Sequence, residues 1–565
     1  MTASLRIQTL SFSGDLDHPV AVGDSELVVL IGPNNAGKSR ALRDIETFLQ
    51  GGAEGQVVRT LSAERIGDAD AIRDWIHQTT PSHSNWQPGQ DLRSIRDGGI
   101  LNVSDAVQTW VNGQIPLGQL ARLMVFRADA ETRLQLASSK PSVDILGGEA
   151  TEPLQRLISD HQAESRLSES TRQAFDSVIL VNRAGGSIVH LHLGSVEAEP
   201  RLDDPRYLAE LRELPLVADQ GDGMRAFIGL VLALTATPFP LVLIDEPEAF
   251  LHPPQARELG RQLALPSGQQ RIIATHSSHV LLGLLDVATS ITIVRLRRSD
   301  DRNVPAVLSP QKVGEVWADP SLRYSNLFDG LFHRGVVITE ADGDARLYAA
   351  ALDAELAEQR APAADVLFTH CDGKHNLPAA IGALRPMGVP VAAIADLDVL
   401  RDESLLRRIV EALGAEWDPL RSDWRIVDRA VANYPVAASP ISEVRRQIDE
   451  ALGEDETAPL SEQQVRRIRE ITKSSDGWKR ARESGGLSAL PRGDATAAAL
   501  RLVEQLRHSG LFVVPVGALE GWAPQLGDHG RRFVASALSA NVYSDNRELR
   551  TFAADVAAFL GSDDK

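Results

Sequence analysis

The stretch ELVVLIGPNNAGKS, residues 26–39, joins an aliphatic run to a glycine-bearing loop that ends in Lys-Ser. Glu26–Ile31 reads as a strand, and Arg40–Leu49 beyond the loop is compatible with a helix. Strand, then Gly32-Pro33-Asn34-Asn35-Ala36-Gly37-Lys38-Ser39, then helix is the pattern and context of a phosphate-binding P-loop. The glycines let the backbone curl so that consecutive N–H groups face phosphate oxygens at a helix N-terminus. Lys38 is expected to reach the β- and γ-phosphates and Ser39 to hold Mg²⁺. Gly32, Asn34, Asn35, Gly37 and Arg40 are assigned to the same nucleotide cradle. The plain alternative, a glycine turn with an incidental Lys-Ser, is disfavoured by the flanking strand and helix.

A second stretch, LVLIDEPEAFLHP at residues 241–253, reinforces the first. Leu241–Ile244 is a short aliphatic run of the kind that forms a buried parallel strand, and it ends in Asp245-Glu246. An acid at the carboxyl end of such a strand meets the Mg²⁺ of a bound nucleotide, so Asp245 is expected to orient the metal and Glu246 to act as general base. About 30 residues on, the strand Arg271–Ala274 delivers Thr275-His276-Ser277 to the same sheet edge. His276 alone would read as a loop histidine; after a P-loop and an Asp-Glu strand it reads as a γ-phosphate sensor. Arg133 and Gln135 are candidates for the nucleotide's surroundings, with a surface role expected instead.

The 565 residues carry 43% hydrophobic and 24% charged side chains, which are globular values and suggest three or four folding units. Lys+Arg 58 against Asp+Glu 77 leaves a formal charge of -19, so nucleic-acid contacts must come from local basic patches on an acidic body. The single cysteine, Cys371, excludes an intramolecular disulfide, and the N-terminus MTASLRIQTLSF lacks a long apolar run. A cytoplasmic location is expected. Ala226–Ile244 is uncharged and nominally long enough to span a membrane, but Pro238 and Pro240 divide it into a helix, Ala226–Leu234, and a core strand. Residues 51–215 are mixed in character, with a turn-rich segment at Pro81–Gln90 and an amphipathic helix expected in Glu152–Ser170.

The P-loop, IDEPEAFLHP and ATHS together resemble the ABC-type ATPase head of recombination, repair and chromosome-maintenance proteins, with EPExxLHP (Glu246 to Pro253) as the specific part. In that family two heads sandwich two ATP molecules, the signature of one closing on the γ-phosphate of the other. The resemblance therefore implies a head-to-head homodimer and places a signature at Gln220-Gly221-Asp222-Gly223-Met224-Arg225, with Gly221, Asp222 and Gly223 at the nucleotide. Gly221 stands where a serine is common, which weighs against brisk ATP turnover.

After a connecting stretch at 297–329 a new α/β rhythm begins. Val336–Thr339 ends in Glu340-Ala341-Asp342-Gly343-Asp344 before a helix at Ala345–Leu352, and Val366–Thr369 and Val391–Ala395 are further strands, the last ending in Asp396-Leu397-Asp398. Several acids on one rim of a parallel sheet repel one another unless a divalent metal neutralises them; separately, each pair would read as a solvated strand end. Together they resemble the Toprim fold of topoisomerases, primases and some nucleases, although Ala341 replaces the usual glycine. That resemblance implies Glu340 as acid/base and metal ligand, and Asp396 and Asp398 as metal ligands.

An ABC-type head followed by Toprim is similar to the OLD (overcoming lysogenization defect) family of ATP-dependent endonucleases, Gabija-like anti-phage nucleases included. The similarity adds Asp344 and Glu520, after a strand Leu511–Val516, to the metal ligands and implies a catalytic lysine, best met by Lys479 with Lys374 and Lys473 as rivals. The basic runs Arg407-Arg408, Arg466-Arg467-Ile468-Arg469 and Lys479-Arg480-Ala481-Arg482 are candidate phosphate contacts, or solvated helix faces.

The fold expected is α/β: an ABC-type ATPase domain over 1–330 with an inserted, partly helical region at 51–215, a Toprim Rossmann-like domain over 331–525 with a helical insert at 399–508, and a helical tail at 526–565. The function expected is an ATP-regulated DNA endonuclease or nickase in phage defence or DNA repair, using ATP and Mg²⁺ or Mn²⁺, dimeric or larger, acting on DNA, open to a defence-system partner protein and not membrane-bound. A non-nucleolytic ATP-gated DNA sensor or clamp is the rival. A topoisomerase or primase is a weaker third reading, the topoisomerase because none of the five tyrosines sits in a recognisable motif.

Overall fold

The structure, a computed structural model, describes residues 3–561 except 84–89, 114, 144–149, 185, 199–203, 238, 309–325, 433–440, 453–459, 462, 466, 469–476, 484 and 528. Pro238, Arg466, Arg469 and Lys473 thus lie outside the described residues. The chain divides into two compact units, Met1–His333 and Arg334–Lys565, where length alone suggested three or four.

The first unit is built on a six-stranded sheet in the order Arg302–Leu308, Ile291–Ser299, Leu27–Ile31, Gln270–Ala274, Leu241–Asp245, Val125–Ala128. All neighbours pair in parallel except the first two, which form an antiparallel hairpin. Leu27–Ile31, Leu241–Asp245 and Gln270–Ala274 are buried along their whole length, which is why they read as unbroken aliphatic runs rather than alternating ones. Leu30 pairs with Ala274 and Ala274 with Asp245, so the three strands end level. The P-loop, the Asp-Glu pair and Thr275-His276 consequently emerge along one rim.

A second, antiparallel sheet of Asp15–Ala21, Ser4–Phe12 and Val58–Ile66 belongs to the same unit. Buried Gln270 sews it to the central sheet, accepting from the Ile7 N–H at 2.7 Å and donating to the carbonyls of Ile7 and Val22. Asp44, on the helix Lys38–Gln50, fixes that helix to the next strand by accepting from the N–H groups of Gln56, Val57 and Val58.

Three expectations need correction. Residues 51–215 are not a simple insertion, because Val58–Ile66 completes the antiparallel sheet and Val125–Ala128 forms the edge of the central one. The single helix expected in Glu152–Ser170 is two, Pro153–Leu157 and His161–Phe175, since the Asp160 carboxylate caps the second by accepting from Ala163 N–H. The start of the connecting stretch at 297–329 is the hairpin Ile291–Ser299 with Arg302–Leu308. The expected division of the uncharged run Ala226–Ile244 is observed: a helix, Asp222–Ala236, is followed by the strand Leu241–Asp245, and among the described residues no helix is long and apolar enough to cross a membrane.

The second unit is a four-stranded parallel sheet ordered Val366–His370, Gly335–Thr339, Val391–Ala395, Leu511–Val513. The last strand is shorter than expected because Pro515 has no N–H to continue the ladder, which ends with Val514 N–H donating to Ala395. Residues 399–508 are largely helical where described. The segment 526–565 is no appended tail: its helices Arg531–Ser539 and Arg547–Gly561 supply Phe533, Val534, Ala537, Leu549, Ala553, Val556 and Leu560 to the core beside Leu347, Tyr348 and Phe512.

The helices Pro253–Ala264 and Ser278–Val287 of the first unit cross at glycines, and a Cβ on Gly283 would lie 2.0 Å from the Arg257 carbonyl. Gly283→Ala should therefore cost about 1–3 kcal/mol through overpacking. Gly382, in the helix Leu377–Leu384, meets nothing within 4 Å, so Gly382→Ala should be neutral or stabilising by up to about 1 kcal/mol. Urea midpoints of the two variants check this; an unchanged midpoint for Gly283→Ala would contradict the close crossing of the two helices.

Candidate functional site

At the rim of the first unit Lys38 is nearly buried, and its Nζ donates to the carbonyls of Gly32 at 2.8 Å and Pro33 at 2.9 Å. Gly32 and Gly37 both adopt positive φ, 138° and 90°, and a Cβ on Gly32 would lie 2.2 Å from the Leu296 carbonyl. Asn35 is also left-handed, and Asn303 of the hairpin braces the loop by donating to the Ala36 carbonyl. Ser39 Oγ donates to Asp245 Oδ1 at 2.7 Å, joining the hydroxyl and the carboxylate that a nucleotide's Mg²⁺ would share. Burial holds the Asp245 pKa above the ordinary carboxylate value, with the neighbouring Glu246 charge adding to the shift, so a cation at this point would be welcome.

Glu246 is exposed at the strand end with φ 45°, its N–H held by the Ala274 carbonyl at 2.8 Å. His276 Nδ1 lies 3.0 Å from Glu248 Oε1 and 3.8 Å from Glu246 Oε1, which leaves Nε2 for a ligand. Glu248 is the organiser here: nearly buried, it accepts from Thr275 Oγ1 and His276 N–H, both at 2.8 Å. Glu248 lies inside EPExxLHP, where residue order alone gives it no role. Gly221 and Asp222 are exposed at the start of the helix Asp222–Ala236, and a Cβ on Gly223 would lie 2.5 Å from the Phe250 carbonyl.

Two assignments change. Arg40 turns along its own helix to pair with Asp44 at 2.8 Å, one turn on, instead of standing free for phosphate. Arg133, expected at the surface, is wholly buried, with Nη1 donating to the Asp245 carbonyl at 3.2 Å and Nη2 to the Glu246 carbonyl at 2.9 Å. A lone arginine in AETRLQL carries no burial signal in sequence; only the packing of the helix Ala130–Leu136 hides it.

In the second unit the strands Gly335–Thr339 and Val391–Ala395 end side by side, which brings ligand atoms of Glu340, Asp396 and Asp398 within 4.8 Å of one another. Glu340 Oε1 accepts from the Asp396 N–H at 3.0 Å. Arg482 Nη2 donates to Asp396 Oδ2 at 2.6 Å, and Lys374 Nζ sits 2.8 Å from Asp398 Oδ2. Asp398 Oδ1 is buried and, among the described residues, has no hydrogen-bond partner. Three clustered carboxylates with one buried oxygen left unsatisfied are a donor set that fits a hard divalent cation.

Asp396 is pushed up to about 7 by burial first and by Glu340 next, and Asp344 to about 7 by burial and then Asp396. Burial raises Glu340 as well. Asp344 stands beside the three-acid group, accepting from the Ala341 N–H as a helix cap, while Glu520 accepts from the Gly530 N–H at 3.0 Å. Both couple electrostatically to Asp396, but neither joins the tight cluster. Lys479 is not among the cations on these acids; it is exposed and lies 3.9 Å from Glu483, one turn along its helix. The rival Lys374 and Arg482, the latter read as a phosphate contact, take those places. Arg407 is exposed and paired with Glu411.

Against known proteins, residues 111–282 match the family described as "AAA domain, putative AbiEii toxin, Type IV TA system", a span that includes the Asp-Glu strand and Thr275-His276 but not the P-loop. No curated protein matches the chain. Among solved structures, an SmcHead bound to the C-winged helix domain of ScpA is 13% identical with TM-score 0.32, covering 56% of this chain and 100% of that one. The SMC head domain from Thermotoga maritima is 14% identical with TM-score 0.28, covering 55% and 99%. An Smc head domain from Pyrococcus furiosus, with an extended coiled coil and bound to the C-terminal domain of ScpA, is 12% identical with TM-score 0.30, covering 56% and 98%. The family match supports a P-loop ATPase domain in the first unit.

Raised acid pKa values tie stability to pH. Between about pH 4 and pH 7 the folded Asp396 and Asp344 keep protons that the unfolded chain releases, so their contribution is full at low pH and is lost as pH rises to about 7. In chelator, the melting temperature of the second unit should fall across that window more for wild type than for Asp396→Asn, and Mn²⁺ at pH 8 should restore it in wild type only. Equal slopes for the two proteins would contradict the strained-acid picture.

Proposed function

We propose that the chain is an ATP-regulated, divalent-metal-dependent DNA endonuclease or nickase of OLD type, with an ABC-type ATPase head in its first unit and a Toprim nuclease domain in its second. One observation carries the nuclease half: Glu340, Asp396 and Asp398 gathered within 4.8 Å at the carboxyl rim of a parallel sheet, with Asp398 Oδ1 buried and unpartnered among the described residues. The level P-loop, Asp245-Glu246 and His276, together with the ATPase family match, support the ATPase half.

In this reading Lys38 and the P-loop N–H groups bind the ATP phosphates, Ser39 and Asp245 hold its Mg²⁺, Glu246 takes the proton of the attacking water and His276 senses the γ-phosphate. Gly221–Gly223 would close on a second head's nucleotide, so ATP should tighten a homodimer. At the second site Mg²⁺ or Mn²⁺ would supply an activated water and stabilise the leaving 3′-oxygen. Glu340, with its raised pKa, is suited to hold and release a proton there, and Lys374 and Arg482 keep positive charge beside the scissile phosphate. Asp344 and Glu520 are outer acids of this site, and Lys479 is set aside as its lysine in favour of Lys374. Cytoplasmic phage defence or DNA repair is the setting proposed. The rival reading, an ATP-gated DNA sensor, draws on the same two cations, because Lys374 and Arg482 can neutralise part of the rim without metal.

Nicking of supercoiled plasmid in Mg²⁺ or Mn²⁺, with and without ATP, decides between them. Asp396→Ala and Asp398→Ala should each lower cutting by more than about a hundredfold while ATP hydrolysis continues. Undiminished cutting would overturn the nuclease assignment, and a wild type that never cuts would favour the sensor. Lys38→Ala should abolish ATP binding, whereas Glu246→Gln should keep binding, stall hydrolysis and accumulate an ATP-bound dimer in light scattering. A strictly monomeric Glu246→Gln protein in saturating ATP would count against the two-head sandwich.

A further inference from the structure

We infer that Arg133 is a positioning residue for ATP hydrolysis, linking the helix that begins at the signature to the peptide that carries Glu246. The inference rests on the ATPase reading and extends it to a residue that need not touch the nucleotide. Arg133 sits on the short helix Ala130–Leu136, which follows the edge strand Val125–Ala128 and is capped by Asp129, whose Oδ1 accepts from Thr132 N–H at 2.9 Å. From there its guanidinium reaches beneath the end of Leu241–Asp245 and donates to two successive carbonyls, those of Asp245 and Glu246. Its Nε is buried and, among the described residues, without a partner.

Burying a guanidinium is costly, and a methionine would fill similar space without that cost. The chain gains a fixed backbone where one is needed. Glu246 has φ 45° and Phe250 φ 70°, two left-handed residues other than glycine within one turn. The Glu246 peptide is clamped from both sides: its N–H donates to Ala274 and its carbonyl accepts from Arg133. The acids facing the guanidinium are Glu248, Asp245, Asp129 and Glu246, so the same buried charge also offsets the acidic rim above it.

The other side of Arg133 meets the helix Asp222–Ala236. Gly229 of that helix lies against it so closely that a Cβ would fall 2.0 Å from the Arg133 carbonyl, and Arg225 donates to the Leu134 carbonyl at 3.5 Å. Gly223 makes the matching close approach to the Phe250 carbonyl. Movement of the signature helix must therefore move Arg133, and with it the Asp245-Glu246 carbonyls. Close-packed contacts transmit such a displacement because there is no free volume to absorb it.

The test uses the full-length chain. Arg133→Met should leave ATP affinity and KM within about threefold of wild type and lower kcat by at least about tenfold, with Arg133→Lys recovering part of the loss. In a Glu246→Gln background Arg133→Met should lower the residual rate no further, since both act through one group. Should Arg133→Met fail to fold, Gly229→Ala, which shifts the helix while keeping the guanidinium, should show the same split of kcat from KM. Wild-type kcat in the Arg133 variant, affinity lost in step with kcat, or additive losses in the double variant would each overturn the inference and leave the ATPase reading standing. A wild-type chain that neither binds nor hydrolyses ATP would overturn both.

Discussion

The level ending of three buried parallel strands is the constraint on which the first unit depends. Leu30, Ala274 and Asp245 occupy one row of the sheet, and the ladder hydrogen bonds that hold the row are sealed among aliphatic side chains. A slip of two residues in any strand would move its loop by about 7 Å, beyond hydrogen-bond reach of its neighbours. Because the row is fixed, Ser39 finds Asp245 at 2.7 Å and Glu248 finds Thr275 and His276, although these partners are separated by up to about 200 residues of chain.

Both units face the same electrostatic problem and answer it differently. At the rim of the first, Asp245, Glu246 and Glu248 crowd together, and the answer is mostly dipolar: a serine hydroxyl, a threonine hydroxyl, backbone N–H groups and one buried guanidinium beneath. In the second, Glu340, Asp396 and Asp398 are closer still, and two cations, Lys374 and Arg482, take up part of the charge while Asp344 and Asp396 titrate near 7. A site held this close to neutrality by protons and side-chain cations is one where a divalent ion can exchange with them at modest cost.

The second unit also shows how a core decides what belongs to a domain. Leu549, Ala553 and Val556 recur on one face of the last helix, a pattern that requires an apolar partner, and that partner is the helix Asp342–Glu358, which begins beside the acids. Trp522 Nε1 donates to the buried Tyr348 hydroxyl at 3.3 Å, tying the segment that carries Glu520 to the same helix. The chain end thus supports the acidic rim from below.

Motifs whose chemistry is local were legible from residue order alone. The P-loop, the Asp-Glu strand, Thr275-His276 and the Glu340 and Asp-x-Asp strand ends all announce themselves by an aliphatic run followed by the reactive residue, because a buried parallel strand needs the first and a sheet rim displays the second. What residue order could not decide was which cation meets which acid. Lys374, Lys479 and Arg482 look alike in sequence; a long flexible side chain takes its partner from where its backbone is carried, and only the tertiary structure brings Lys374 and Arg482 to Asp398 and Asp396. Arg133 is the sharper case, since nothing near it in sequence signals burial. Its place beneath Glu246 is set by the packing of Gly229 against its backbone and by two carbonyls more than a hundred residues away.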